Sequence, residues 1–334
     1  MQINCKKITK LIFKERWDQI SEIISEETSP LSVILENGNT DKPFTGVIWK
    51  TVERNKSVFI FNQSMPHDRY QFFVTRLILL LPLIQYFHQS SHYYNGSIFI
   101  NLDDSADAEG LAFCSNHEHQ ILIPDVEFIN SQGYAKTKED FFHHEILWQE
   151  RKSIAFWRGS TTGVRKGDSW KSLPRVKLAE ICSEVGHKDL FDVGISSLAQ
   201  VSSVEGRQLK RAGLIKSFSP ISSINRYKYQ IDIDGNTNAW SALFQKLLSK
   251  SAVLKVDSPH HYRQWFYPKL VPWKNFVPVC SDMSDLVEKL LWLKNNDDKA
   301  ESIGIAGYNL ASSLTYEHEL EEASRVIGEA FLAK

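Results

Sequence analysis

A chain of 334 residues with 42% hydrophobic and 12% aromatic content can bury substantial cores and is long enough for about two domains. With 39 basic against 40 acidic residues the formal charge is -1, so the chain lacks the global cationic field of a nucleic-acid binder and no nucleic-acid partner is expected. Cys5, Cys114, Cys182 and Cys280 form no C-x-x-C pair, which argues against a zinc ribbon or a disulfide framework and fits a reducing compartment.

The N-terminus alternates apolar residues with lysines and develops no signal-peptide core, so a cytoplasmic location is expected. Lys6, Lys7, Lys10 and Lys14 beside Ile8, Leu11, Ile12 and Phe13 make either a basic amphipathic surface for anionic lipid or a plain solvated helix. Periodicity predicts a helix over Lys10 to Ile24, then short strands over Leu31 to Glu36, Gly46 to Trp49 and Ser57 to Phe61. Leu77 to Ile84 is apolar, carries Pro82, and is too short to span a bilayer, which reads as a buried helix. The strand Ser97 to Leu102 ends at Asp103-Asp104, and a charged aromatic helix, Asp140 to Arg151, precedes the strand Ile154 to Trp157.

A boundary near 150 follows, giving an N-terminal domain 1–150, a second domain 151–311 and a last helical segment 312–334 expected to pack back on the first. Beyond the boundary, helices over Arg175 to Val185, Ala239 to Ser249, Asp285 to Lys294, Asp297 to Ser312 and His318 to Leu332 alternate with strands over Tyr227 to Ile233, Ala252 to Val256 and Phe276 to Val279. That alternation is the pattern of an α/β layered sheet.

Two loops carry candidate chemistry. In Ile154 to Gly163 an apolar strand breaks at Arg158 into Gly159, Ser160, Thr161, Thr162 and Gly163, which combine a planar guanidinium, close backbone approach and hydroxyl donors suited to a phosphate. In Tyr227 to Trp240 a strand delivers Asp232 and Asp234 to a Gly235-Asn236 turn that opens a helix, the local geometry that receives anions. Each is equally readable as an ordinary turn. Asp232-x-Asp234 also permits a metal reading, since period two puts both carboxylates on one face. His117-Glu118-His119, His143-His144 and His260-His261 lack further spaced partners and read as packed or solvated imidazoles. Asp103 or Asp104, at a strand carboxyl end, is readable either as a base or, as the residues alone favour, as acidic surface residues capping the strand.

The segments W-R-G-S-T-T-G (157–163), K-Y-Q-I-D-I-D-G-N-T-N-A-W-S (228–241), L-V-P-W-K-N-F-V-P-V (270–279) and N-D-D-K-A (296–300), in this order, resemble the CAP10-like glycosyltransferases, which include Rumi-type protein O-glucosyltransferases, capsule xylosyltransferases and lipopolysaccharide-modifying enzymes. The resemblance runs from about Ser97 to Ala311 and is weak before it. It implies a GT-B fold of two Rossmann-like domains facing across a cleft, a UDP-sugar donor held by the second domain, inversion at the anomeric carbon and neither an essential metal nor another cofactor. It implies a catalytic aspartate in an apolar-Asn-x-x-Asp segment, matched by Ile100 to Asp104, which puts the base at Asp104 with Asp103 as fallback. It assigns Arg158, Gly159, Ser160 and Thr161 to the diphosphate loop, and Lys228, Asp234, Gly235 and Asn236 to a second donor-side motif. Rumi-type relatives carry a phosphate-binding arginine where Ala242 stands here, so either another cation, Arg226 and Lys228 among the candidates, takes that role or more rests on Arg158 and the helix dipole. The expected reaction is sugar transfer from a UDP-sugar to a glycan acceptor, lipopolysaccharide above others, with peripheral contact at the inner membrane face. The alternatives are a non-catalytic nucleotide-sugar or glycan-binding module and a metal-dependent transferase using Asp232 and Asp234.

Overall fold

The computed structural model describes residues 5–90 and 94–333; residues 1–4 and the side chain of Lys6, part of the lysine-rich N-terminus, lie outside them. The chain divides into two compact units. Unit 1 comprises residues 1–133, 263–265 and 315–334, and unit 2 comprises 134–262 and 266–314.

Unit 1 opens with α1 (Cys5–Ile12) and α2 (Trp17–Thr28). The single helix expected over Lys10 to Ile24 is interrupted because Glu15 adopts φ 52°, a left-handed conformation that an α-helix cannot continue through. Ile8 and Ile12 are buried, which leaves Lys7, Lys10, Lys14 and Phe13 on the surface. Ser21, on α2, accepts a hydrogen bond from the Leu35 amide at 2.8 Å and so fixes α2 to the sheet. The strands β1 (Ser32–Gly38), β2 (Gly46–Glu53) and β3 (Lys56–Asn62) precede the long helix α3 (His67–Ser90), whose Phe73, Val74, Leu77, Leu80, Leu81 and Ile84 are buried. Then follow β4 (Gly96–Asn101), β5 (Leu111–Ala112), β6 (Cys114–Ser115), β7 (Ile121–Leu122) and α4 (Val126–Asn130). The main sheet runs β1-β3-β2-β4-β5-β7, parallel except for β2, which is antiparallel to both its neighbours.

Unit 2 contains α5 (Ala135–His143), β8 (Lys152–Ser160), α6 (Pro174–Ser183), β9 (Phe191–Ser197), α7 (Ser203–Arg211), β10 (Tyr227–Asp232), α8 (Ser241–Leu248) and β11 (Ala252–Val256). After β12 (Arg263–Gln264), which pairs with β6 in unit 1, come β13 (Val277–Val279), α9 (Leu286–Asn295) and α10 (Asp297–Ser313). Its sheet is parallel, in the order β13-β11-β10-β8-β9. Its strands are buried and rich in Val, Ile and Leu, as a sheet covered on both faces requires. From β8 the chain steps to β9 at one edge, then returns to the other side of β8 for β10. That reversal opens a crevice at the carboxyl ends of β8 and β10, the place where doubly wound sheets receive ligands.

The division falls after Gly133 rather than near 150 because α5 packs within unit 2. Tyr134 packs at a tilt against Phe244 with ring centroids 5.0 Å apart, and Asn225 donates to the His144 carbonyl at 2.7 Å. The charged helix expected over Asp140 to Arg151 is instead Ala135–His143, displaced toward the N-terminus. The last helix, α11 (Tyr316–Leu332), belongs to unit 1, where Phe331 meets Trp49 edge-on at 5.2 Å. The α/β class holds for both units.

Candidate active site

The crevice of unit 2 is made by the loops that leave β8 and β10. The guanidinium of Arg175 joins them, from the first turn of α6 just after Pro174. Its Nη1 donates to Thr162 Oγ1 at 2.7 Å and to Ser160 Oγ at 3.4 Å, its Nε to the Asp234 carbonyl at 3.0 Å, and its Nη2 to the Ile233 carbonyl at 3.1 Å. The two loops approach so closely that a Cβ at Gly235 would lie 3.0 Å from Thr162 Oγ1 and 3.2 Å from Arg175 Nη2, which is why glycine stands there. Burial disfavours the charge on Arg175, while Asp232 and Asp234 support it.

Four atoms of the 234–238 turn are buried with no hydrogen-bond partner among the described residues: both carboxylate oxygens of Asp234, Thr237 Oγ1 and Asn238 Nδ2. Each unpaired buried polar group costs about 1–3 kcal/mol. Four on one turn, beside a cavity that Lys166, Ser258 and His260 also line, mark a surface shaped for a polar ligand. Burial pushes the Asp234 carboxyl up to about 6, and neighbouring Asp232 adds to the effect against the attraction of Lys255.

Asp232 has a different role. It is fully buried, with Lys246 Nζ 2.8 Å from Oδ1 and Lys255 Nζ 3.9 Å from Oδ2. Burial raises its carboxyl, but Lys246 and Lys255 outweigh that and hold it below the ordinary carboxylate range. Two lysines neutralise Asp232 from within the core, so Asp232 and Asp234 do not act as a matched pair of exposed metal ligands. No group of three or more His, Cys, Asp or Glu suited to a metal ion occurs among the described residues.

The remaining sequence-derived residues divide between the crevice and the framework. Ser160, Asp234 and Gly235 meet at Arg175, and exposed Asn236 follows on the same turn. Thr161 is fully buried and its hydroxyl bonds the backbone of Ala199, so it builds the loop and does not face the crevice. Gly159 makes room for the Trp157 ring, which would lie 2.5 Å from an added Cβ. Arg158 is turned toward β9, where Nη2 meets Asp192 Oδ1 at 2.6 Å and Nη1 the Asp192 carbonyl at 2.7 Å. Burial raises the Asp192 carboxyl, yet hydrogen bonds from Lys216, Arg158 and Tyr227 prevail and hold it well below the usual range.

Lys228 grips both oxygens of Asp297 at 2.9 and 2.7 Å. It sits near the start of β10, roughly 13 Å back from the strand's carboxyl end at about 3.3 Å per residue. It does not reach the donor-side turn, and Arg226 lies further back still. The cation that does stand in the crevice is Arg175. The signal was present, because Leu-Pro-Arg places Pro174 at the first position of a helix and points the next residue back over the preceding loop.

In unit 1, β4 ends at Asn101, whose buried amide shapes the following loop. Its Oδ1 accepts from the Asp107 and Ala108 amides at 3.1 and 3.2 Å, and its Nδ2 donates to the Ala108 and Leu111 carbonyls at 2.7 and 3.0 Å. This explains the asparagine in the segment Ile100 to Asp104, which carries Asp103 and Asp104 onto a partly exposed loop.

The sequence profile of the family described as Glycosyl transferase family 90 matches residues 111–318, more than half of the chain. The chain is 34% identical over 173 residues to Protein O-glucosyltransferase 3 of Homo sapiens, covering 52% of this chain and 30% of that protein. It is 31% identical over 206 residues to Protein O-glucosyltransferase 2 of Danio rerio, covering 59% and 37%. The chain thus spans about a third of the length of these curated relatives. Among solved structures it is similar to TarM, at 14% identity and a TM-score of 0.42 over 66% of this chain and 40% of that one. On the profile match, and in agreement with the motifs read from the sequence, the chain belongs to glycosyl transferase family 90.

Proposed function

We propose that the protein is an inverting, metal-independent glycosyltransferase that moves a sugar from a UDP-sugar to a glycan acceptor. The observation that carries this reading is the cluster of orphaned polar atoms on the 234–238 turn beside Arg175, since a nucleotide sugar brings hydroxyls for these atoms and an anionic diphosphate for the guanidinium. Arg175, Ser160 and Thr162 face the diphosphate, and Asp234, Asn236, Thr237 and Asn238 receive hydroxyls. In unit 1 Asp104 takes the proton of the acceptor hydroxyl. As that O–H bond breaks, the acceptor oxygen bonds the anomeric carbon and UDP leaves from the opposite face with the bonding electron pair. Donors in the crevice act on the charge that develops on the diphosphate.

The names of the two relatives speak of O-glucosylation of protein, so UDP-glucose is the first donor to test, with UDP-xylose and UDP-galactose beside it. Lipopolysaccharide remains the proposed acceptor, and the exposed lysines of α1 with Phe13 support peripheral contact with an anionic membrane face in the cytoplasm. Arg175 supplies the phosphate-binding cation that Ala242 cannot, which supports an enzyme over a non-catalytic module. The test is Asp104→Asn, which is expected to lower sugar transfer or donor hydrolysis by on the order of a thousandfold with UDP affinity nearly unchanged. Full activity in that variant overturns the assignment.

A further inference from the structure

Arg69 and Arg76 are seven residues apart on α3, two helical turns, so they project from one face of the helix. That face meets the loop after β4. Arg69 is ion-paired with Asp103 Oδ2, while Arg76 donates from Nη2 to Asp104 Oδ1 at 2.7 Å and from Nη1 to the Leu102 carbonyl at 2.6 Å. Phe72 and Phe73 brace the two guanidinium groups, with Arg76 4.2 Å from the centre of the Phe72 ring and Arg69 4.7 Å from that of Phe73.

The two aspartates are not equivalent in this frame. Asp103 has both oxygens engaged, Oδ2 by Arg69 and Oδ1 by the Asp104 amide at 2.8 Å. Asp104 has one oxygen held by Arg76, and its Oδ2 takes no hydrogen-bond partner among the described residues on a side chain that is 37% exposed. A group that accepts a proton needs a free lone pair held in a fixed direction. The planar fork of Arg76, anchored at once on a backbone carbonyl and on Oδ1, stops rotation of the Asp104 carboxylate and leaves Oδ2 as the oxygen presented.

We infer that Arg76 is a positioning residue that orients Asp104 for proton abstraction, and that Asp103, closed off by Arg69, is a strut of the same loop. This rests on the reading of Asp104 as the base. In the step concerned, the acceptor O–H bond breaks, the proton passes to Asp104 Oδ2, and the oxygen's electron pair forms the bond to the anomeric carbon while UDP departs.

The experiment measures UDP release from UDP-glucose, UDP-xylose and UDP-galactose by the full chain and four variants, with UDP affinity and melting temperature recorded for each. Arg76→Ala is expected to lower kcat about a hundredfold with the donor KM little changed, because a misplaced reacting group costs about that much. Guanidinium ion added at tens of millimolar, below the range that unfolds domains, restores a measurable part of that rate by refilling the space beside Asp104. Arg76→Lys falls between, since an ammonium cannot span two acceptors as a fork does. Asp103→Asn loses less than about tenfold and Asp104→Asn on the order of a thousandfold.

Wild-type kcat in both Arg76 variants alongside a dead Asp104→Asn overturns the positioning role while sparing the base. Loss in Arg76→Ala without guanidinium rescue, or failure of that variant to fold together with a fully active Arg76→Lys, also overturns it and assigns Arg76 to structure. Full activity in Asp104→Asn, greater loss in Asp103→Asn, or no UDP release by the wild-type chain from any of the three donors removes the base itself.

Discussion

Arg175 donates to the carbonyl oxygen of Asp234 at 3.0 Å although the two residues are 59 positions apart in the chain. The bond ties the start of α6 to the turn after β10, and the same guanidinium reaches the hydroxyls of the loop after β8. A single cation therefore sets the spacing of both loops of the proposed donor crevice.

Arg175→Ala should weaken UDP binding by about 2–4 kcal/mol, the usual loss for a charged hydrogen-bond donor in a partly dehydrated site. Arg175→Lys should lie between, because an ammonium cannot span four acceptors held by one planar fork. Titration calorimetry with UDP reads both. Unchanged affinity in the alanine variant places the diphosphate elsewhere.

Arg158→Ala should act on stability first. Its guanidinium is mostly buried against Asp192, and removal leaves that carboxylate to Lys216 and Tyr227 alone. A loss of about 1–3 kcal/mol is expected in denaturant unfolding, the range for a hydrogen-bonded charge left under-satisfied. A variant as stable as the wild type that no longer binds UDP would return Arg158 to the diphosphate, as the W-R-G-S motif by itself suggests.

Lys246→Met should destabilise by about 3–5 kcal/mol, because it strips the nearest cation from a wholly buried carboxylate. Adding Asp232→Asn should recover part of that loss, as expected when the penalty comes from an uncompensated charge. With Asp232 taken up by lysines, donor turnover should persist in a chelator. Inactivation by chelator that added metal reverses would restore the metal-dependent alternative.

His88 gives a pH prediction with a definite sign. Its imidazole is buried beside Trp49, shares a 2.8 Å hydrogen bond with Ser57, and burial lowers its pKa from 6.5 to about 4. Between those values the unfolded chain binds the proton and the folded chain does not, so this group withdraws stability as pH falls through the window. Asp125 and Asp234, both raised to about 6 by burial, act oppositely, since there the folded form holds the proton and stability declines as pH rises from about 4 to 6. Comparison with His88→Gln cancels the shared carboxyls. Relative to that variant, the wild type should lose stability on going from pH 7 to pH 5, and equal losses in both would refute the assignment.

Local pattern determined much of this protein. The runs Tyr227 to Ile233 and Ala252 to Val256 coincide with β10 and β11 within a residue or so, because a buried parallel strand reads as an apolar run closed by a polar turn. The D-G-N turn and the aspartates after β4 were legible for the same reason. The elements that escaped include β9, where Asp192 and Gly194 interrupt the apolar run, α7, although Ser202 and Glu205 form the S-x-x-E capping box that announces its start, and the short β5, β6, β7, α4 and β12.

Tertiary structure decided the partners. Nothing in the spacing of Arg158, Arg175, Lys228, Lys246, Arg69 or Arg76 says which meets Asp192, Asp234, Asp297, Asp232, Asp103 or Asp104, because those pairs form across strands and helices brought together only when the sheets assemble. A charged residue's type is written in the chain, but its role follows from burial and from the opposite charge that burial places beside it. Thus the sequence by itself supplied the α/β class, the family motifs and the positions of the two loops. The fold turned Arg158 and Lys228 into framework, brought Arg175 to the crevice and left Asp104, rather than Asp103, with an oxygen to spare.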